Sequence, residues 1–282
     1  ILLAFNFAFL VFWAFVRLRT IWLPVLGFIL CFASIRIYCP FNLPKDKPHG
    51  AIKVLSYNVY MFDSWEETNP KTNPIVNYII DSKADLVCLQ EAQGDGDKNG
   101  GIYERLKAHY PYFKLMVKKK PGADYMVLLS RYPILWQDTI PYGSSSNQSV
   151  AYMVDIKGTK TLVVNNHFES NGLSNDDKAG FKSLVKGSMQ TDKAKSESVH
   201  LLRKLGKVSM RRAPQADMVA RYVKQYLDKK VPVILCGDFK DNPLSYTHRV
   251  IDKELIDCFV ASGNGPGISY HRSGMYFRID LI

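Results

Sequence analysis

The sequence predicts an α/β protein whose folded domain follows a pair of apolar helices, and three observations carry that expectation. Strand-length apolar runs recur along the chain, the clearest being Asp85-Leu86-Val87-Cys88-Leu89-Gln90-Glu91 and Val233-Ile234-Leu235-Cys236-Gly237-Asp238-Phe239. A run that is apolar at nearly every position reads as a strand covered on both faces. Between such runs lie segments with apolar residues at helical spacing, and ahead of them all lie almost forty residues nearly devoid of charge. The two clearest strands share a further property: each ends on a carboxylate, Glu91 or Asp238. An acid at the end of a covered strand sits where the sheet opens to solvent, and a metal or a reacting phosphate can be held there. Two acids that merely end strands at the surface are the alternative, and these two stretches alone do not choose between the readings.

Residues 1–16 are apolar except for Asn6, and Ile21–Ile35 form a second apolar stretch after Arg17 and Arg19. Crossing a bilayer takes about 20 residues. The second stretch reaches that length through Ile37 and Tyr38 if Arg36 snorkels. The expectation is two transmembrane helices over 1–38, the first of them truncated, joined by a tight basic loop. A signal peptide fits poorly, because there are two apolar segments, no basic leader and no small-residue cleavage site. Arg17 and Arg19 favour a cytoplasmic loop, which places the rest of the chain on the opposite side, although Arg36, Lys45 and Lys47 pull the other way. Residues 39–51 are polar and Pro-rich, a short stiff linker.

The folded domain is expected over 52–282. Its strands are read at 52–60, 85–91, 112–118, 125–130, 151–156, 161–166, 231–238 and 275–282, with helices at 74–83, 102–109 and 215–228. A Gly- and Asp-rich loop covers 94–101, and Pro133 bars a simple continuation of the strand before it. Residues 174–213 are rich in Lys, Ser and Asp, which reads first as the solvated face of one or two helices and second as a basic flap that faces substrate. The chain carries 37 Lys and Arg against 26 Asp and Glu, a net +11. The first 44 residues contribute three arginines and no acid, so the remainder still holds 34 basic against 26 acidic residues, or +8. A basic folded part favours an anionic partner such as nucleic acid, a phosphate ester or a lipid headgroup. The five cysteines show no C-x-x-C spacing, which argues against a zinc site.

In order, the polar strand ends are Asn58, Glu91, Asn165 with His167, Asp238 and Asp280. Together with SYNV (56–59), LQE (89–91), SRYPI (130–134), NNHFES (165–170), GDF (237–239) followed by DNP, and RIDLI (278–282), this series resembles the endonuclease/exonuclease/phosphatase superfamily, the deoxyribonuclease-I-like metal-dependent phosphodiesterases. The N-terminal helices resemble those of its membrane-anchored bacterial members, in which the catalytic domain faces away from the cytoplasm. The resemblance implies two packed, mostly antiparallel β-sheets flanked by helices, a four-layer α/β/β/α sandwich, anchored in a bacterial inner membrane. It implies Mg²⁺, with Mn²⁺ as a substitute, and hydrolysis of a phosphate ester in a nucleic acid, a lipid headgroup or a small phosphodiester. No protein partner is implied.

Phosphate ester hydrolysis requires neutralised oxygens, an activated water and a stabilised leaving group. A hard cation held by one or two carboxylates does the first. The resemblance makes Glu91 the principal metal ligand with Asn58 beside it, and Asp238 the group that orients or deprotonates water. It places His167 and Asn165 against the phosphoryl oxygens and makes Asp280 the acid that orients a closing histidine. Lys240 and Arg211 are candidate phosphate contacts. Two departures stand out. The family's GDFN is GDFK here, and lysine cannot accept a hydrogen bond as asparagine does. The family's closing Ser-Asp-His lies beyond Ile282, and His271 precedes the RID strand, so the sequence reads as a fragment of a longer protein. Besides a nuclease or phosphatase, a phospholipid or sphingomyelin phosphodiesterase and a catalytically impaired binding module fit the same series.

Overall fold

The computed structural model describes residues 2–282 except 45, 47, 64–68, 70, 94–100, 119–123, 145, 189, 272 and 273. The Gly- and Asp-rich loop expected at 94–101 therefore lies, apart from Gly101, outside the described residues. The chain forms two compact units, Ile1–Lys45 with Cys258–Gly267, and Asp46–Asp257 with Ile268–Ile282.

The first unit is a helical hairpin. Helices α1 (Leu2–Val16) and α2 (Trp22–Tyr38) are joined by a 3-10 turn, Leu18–Thr20. The polar exception in α1 is satisfied inside the hairpin, where Asn6 Nδ2 donates to Pro24 O at 2.9 Å. Gly27 lets the helices approach there, since a Cβ would lie 3.0 Å from the Asn6 amide. The helical stretch Leu18–Tyr38, 21 residues, is long and apolar enough to cross a membrane, and α1 is a shorter apolar helix. After α2, Asn42 Nδ2 donates to Val260 O at 3.2 Å and Gly263 O at 2.5 Å, beside the short helix α8 (Cys258–Ser262). These bonds bring Cys258–Gly267 into this unit, although the sequence places them within the folded domain expected at 52–282.

The second unit is the four-layer sandwich that the sequence predicts. One sheet has the order β1 (Val54–Asn58), β2 (Leu86–Gln90), β4 (Tyr125–Ser130), β3 (Tyr112–Val117). The other runs β5 (Ile134–Ile140), β6 (Gln148–Ile156), β7 (Thr159–His167), β8 (Val233–Asp238), β9 (Asp280–Leu281). Each sheet is antiparallel except for one parallel pair, β1 with β2 and β7 with β8. The period-2 alternation of side chains divides the core. Leu86 and Cys88 face Val163 and Cys236 between the sheets, while Val87 and Leu89 pack outward under α3 (Pro74–Ser82) and α4 (Ile102–His109). On the far side, Leu162, Val164 and Leu235 pack under α6 (Thr191–Leu227) and α7 (Tyr246–Ile251).

Local chemistry sets the element ends. Pro74 is preorganised for the first turn of α3, and the Asn73 side chain caps it, accepting from Ile75 N and Val76 N at 3.0 and 3.1 Å.

Three expectations about elements need correction. The basic stretch does not stop before a separate helix at 215–228: after α5 (Asn175–Val185), α6 runs 37 residues straight through Pro214. Proline removes one backbone bond from a helix, and burial of Arg212, Gln215, Ala216 and Val219 on both sides of it outweighs that loss. Residues 134–140 form a strand that Pro133 concealed; the proline stands just outside the strand, and its carbonyl still accepts from Asp155 N at 2.9 Å. The last strand is confined to Asp280–Leu281, because Phe277 turns back to bond Ser269 N and Tyr270 N.

Candidate active site

Both parallel pairs deliver their C-terminal ends to one place. Asn58 closes β1, and Glu91 follows β2. In the other sheet, the register pairs His167 with Asp238. That register needs glycine at position 237, where φ is 141° and a Cβ would lie 2.0 Å from Asn166 O. Gly237→Ala is expected to cost at least about 3 kcal/mol, because backbone must move to admit it. A thermal unfolding midpoint within about 2 °C of wild type would contradict this.

Glu91 and Lys240 both adopt left-handed backbone, with φ of 48° and 51°, which non-glycine residues keep only when surrounding bonds fix it. Those bonds are present. Glu91 N donates to Asp124 Oδ1 at 3.3 Å, and Glu91 O accepts from Met61 N at 2.7 Å. Lys240 N donates to Asp238 Oδ1 at 2.9 Å, and Lys240 O accepts from Arg212 Nη1 at 2.8 Å and Asn171 Nδ2 at 3.1 Å. The turn after Asn58 is left-handed as well: Tyr60, Met61, Phe62 and Asp63 have φ between 44° and 56°.

At the centre, Asn58 Nδ2 donates to Glu91 Oε1 at 2.8 Å and to Asp238 Oδ2 at 3.0 Å, tying the two sheets together. His167 Nε2 lies 3.3 Å from Glu91 Oε1. Ligand atoms of Glu91, His167 and Asp238 all fall within 4.8 Å of one another, a donor set that suits a divalent cation. The Lys240 ammonium lies among them, 2.6 Å from Asp238 Oδ2 and 3.1 Å from Glu91 Oε1. It thus stands where a cation is wanted.

These contacts shift the titrations. Burial alone pushes the Glu91 carboxyl up, but the His167 bond, the Lys240 and His167 charges and the Asn58 amide together hold it well below the usual carboxylate range. Burial pushes His167 down, yet the Asp124 charge and hydrogen bond prevail and raise it to about 9. Burial likewise opposes the Lys240 ammonium, and Asp238 and Glu91 hold its pKa above the ordinary lysine value. Asp280, opposite Asp238 in the β8–β9 register, is pushed up to about 7 by burial and by the Asp238 charge.

Asn58, Glu91, His167, Asp238 and Asp280 thus stand at one end of the sandwich. Three other residues do not take their expected places. Asn165 is fully buried two residues deeper than His167; its Oδ1 accepts from Gln90 Nε2 at 2.7 Å and its Nδ2 donates to Leu89 O at 3.0 Å. Side chains at i and i+2 share a face, so Asn165 points between the sheets as His167 does, but below the mouth. Lys240, expected to contact a phosphate, lies against the Asp238 and Glu91 carboxylates. Arg211 lies on the exposed face of α6, and its neighbour Arg212, only 2% exposed, is the arginine that reaches the strand ends. One residue is about 100° of helix.

Asp124 joins the site without any mark in the sequence motifs. It precedes β4, which runs antiparallel to β2, so the start of β4 lies beside Glu91 at the end of β2. Its Oδ2 sits 2.6 Å from His167 Nδ1. An acid at the start of a strand antiparallel to a site-bearing one is the signal that would have found it.

Residues 55–282 match the model of the Endonuclease/Exonuclease/phosphatase family. No curated protein sequence matches the chain. Among solved structures, the human nocturnin catalytic domain with bound sulfate anion is similar at TM-score 0.54 and 14% identity, covering 82% of this chain and 81% of that one. Truncated Caenorhabditis elegans TDP2 is similar at TM-score 0.53 and 15% identity, with 82% of each chain covered. At these identities the likeness concerns the fold.

Proposed function

We propose, for a chain that belongs to the endonuclease/exonuclease/phosphatase family of phosphoesterase hydrolases, that it is a membrane-anchored phosphodiesterase dependent on Mg²⁺ or Mn²⁺. The observation that carries this reading is the convergence of Asn58, Glu91, His167 and Asp238 from both sheets within hydrogen-bond reach. A divalent cation held by Glu91 with Asn58 would neutralise phosphoryl oxygens and polarise the phosphorus. Asp238, fixed by Asn58 and the backbone of residue 240, orients the attacking water and takes its proton. His167, held by Asp124 with Nδ1 engaged, turns Nε2 toward the mouth and donates to a phosphoryl oxygen as charge grows there. Asp280, paired with Asp238 across β8 and β9, adds a carboxyl at the rim of the site. Asn165 serves by locking the two sheets beneath this group.

Residues 1–38 form the anchor, 39–51 the linker, and the catalytic domain begins at 52. The apolar Leu18–Tyr38 helix supports the anchor. The Arg17 and Arg19 loop supports a catalytic domain on the non-cytoplasmic side of a bacterial inner membrane. The substrate is a phosphodiester in a nucleic acid, a lipid headgroup or a small molecule. The test is hydrolysis of generic, nucleic acid, lipid and inositol phosphodiesters by wild type and Glu91→Gln, with and without chelator. Turnover that is lost in chelator and in Glu91→Gln is the expected result. Turnover indifferent to both sinks the reading. The position of Lys240 favours one alternative, a binding module on the same fold, which requires no turnover of any member of that panel.

The Asp124–His167 pair predicts a pH dependence of stability in chelator. The folded pKa of His167, about 9, lies above its ordinary 6.5, so the pair's contribution is complete below about pH 6.5 and is lost as pH rises through about 9. Denaturant unfolding of wild type should weaken over that interval, and Asp124→Asn should flatten the slope. An equal slope in the variant would refute the pairing.

A further inference from the structure

Two carboxylates converge on the Asn58 amide, and a cation of the chain's own already lies between them. The Lys240 ammonium is 2.6 Å from Asp238 Oδ2 and 3.1 Å from Glu91 Oε1. Its side chain is 15% exposed, so it is not a solvent-facing lysine that strays inward. The backbone that carries it is fixed by Asp238, Arg212 and Asn171, which hold residue 240 in its left-handed conformation.

The oxygens it contacts belong to the two carboxylates of the candidate metal group. Glu91 Oε1 accepts from Asn58 and Lys240 and lies 3.3 Å from His167 Nε2, while Asp238 Oδ2 accepts from both Asn58 and Lys240. A carboxylate oxygen has two lone-pair directions, so both oxygens are already saturated. A divalent ion binds carboxylate oxygen at about 2.0–2.6 Å and repels a neighbouring ammonium. The ion and the ammonium therefore compete for the same carboxylate pair. Lysine can yield, because its charge rides on a flexible four-carbon stem.

We infer that Lys240 is a tethered competitor of the catalytic cation: its ammonium must leave the Glu91–Asp238 pair before a divalent metal binds, and residue 240 thereby sets the metal affinity of the site. This rests on the metal-dependent reading above. In the metal-free protein the ammonium also offsets repulsion between the two carboxylates, so the residue trades metal affinity for stability of the empty site.

The test uses the full chain in detergent and Mn²⁺ alone as the probe. Calorimetric titration of wild type, Lys240→Asn and Lys240→Arg is expected to show at least about tenfold tighter binding in Lys240→Asn, and no tightening in Lys240→Arg, which keeps the charge. In chelator Lys240→Asn should melt below wild type, and saturating Mn²⁺ should raise its midpoint more than that of wild type. Equal or weaker Mn²⁺ binding by Lys240→Asn overturns the inference and leaves the metal-dependent reading intact. Binding by neither protein overturns both. A second measurement needs no variant: acylation of Lys240 by an amine reagent, read by mass spectrometry on wild type, should rise when saturating Mn²⁺ releases the side chain. Unchanged or reduced labelling overturns the inference.

Discussion

Asp238→Asn is expected to lower kcat for phosphodiester hydrolysis by about a thousandfold, the middle of the range for loss of a positioned general base. Asparagine has the shape of aspartate, and the position is well fixed, since Asp238 is 2% exposed and accepts from Asn58 Nδ2 and from the backbone N of Lys240. The amide keeps one oxygen for the two bonds, which end on Oδ2 and Oδ1, and it cannot take a proton from water. Substrate affinity draws on other groups, so KM should stay within about threefold and the loss should fall on kcat. Thermal unfolding alongside the kinetics checks that the variant is folded. A folded Asp238→Asn that keeps a tenth of wild-type turnover would remove Asp238 from the role of base.

Arg212→Met is expected to be the most destabilising of these substitutions, although it lies outside the reacting groups. The Arg212 side chain is only 2% exposed, and Nη1 donates to Glu169 O at 3.2 Å, Asn171 Oδ1 at 2.7 Å and Lys240 O at 2.8 Å. Its Nε lies 3.4 Å from Asp241 Oδ2. Methionine fills similar volume but takes the cation from a partly buried carboxylate and a donor from Glu169 O, Asn171 Oδ1 and Lys240 O. Removing one partner of a buried ion pair costs about 3–5 kcal/mol, which for a domain of this size lowers the unfolding midpoint by roughly 10 °C. Arg212→Lys should recover only part of the loss, because a single ammonium cannot reproduce the planar fork. The exposed neighbour is the control: Arg211→Met should leave the midpoint within about 2 °C. If the two variants melt together, the assignment of the inward arginine is wrong.

The same pair of arginines shows how far a sequence reading carries. A basic stretch is legible as composition, but which of two adjacent arginines points inward depends on helix phase. That phase is set by the packing of Ala216, Val219 and Val223 against the sheet. Pro214 suggests a helix break, and only burial on both sides of it keeps α6 continuous. Strands β2 and β8 were legible because they are covered on both faces and so read as apolar runs. Strand β5, with Leu135 and Thr139 exposed, lacks such a run.

The order of polar strand ends, from Asn58 through Glu91, His167 and Asp238 to Asp280, was fixed by the sequence alone, because strands and their terminal residues are properties of short segments. The apolar character and length of the N-terminal helical stretch were fixed in the same way. What only the tertiary structure decided is which side chains meet. Asp124 reaches His167 because β4 runs antiparallel to β2, and Asn165 turns to Gln90 because two sheets face each other there. Lys240 enters the carboxylate pair because Arg212 and Asn171, distant in sequence, fix its backbone. Each of these is a contact between segments tens of residues apart, and no local pattern of charge or hydrophobicity encodes it.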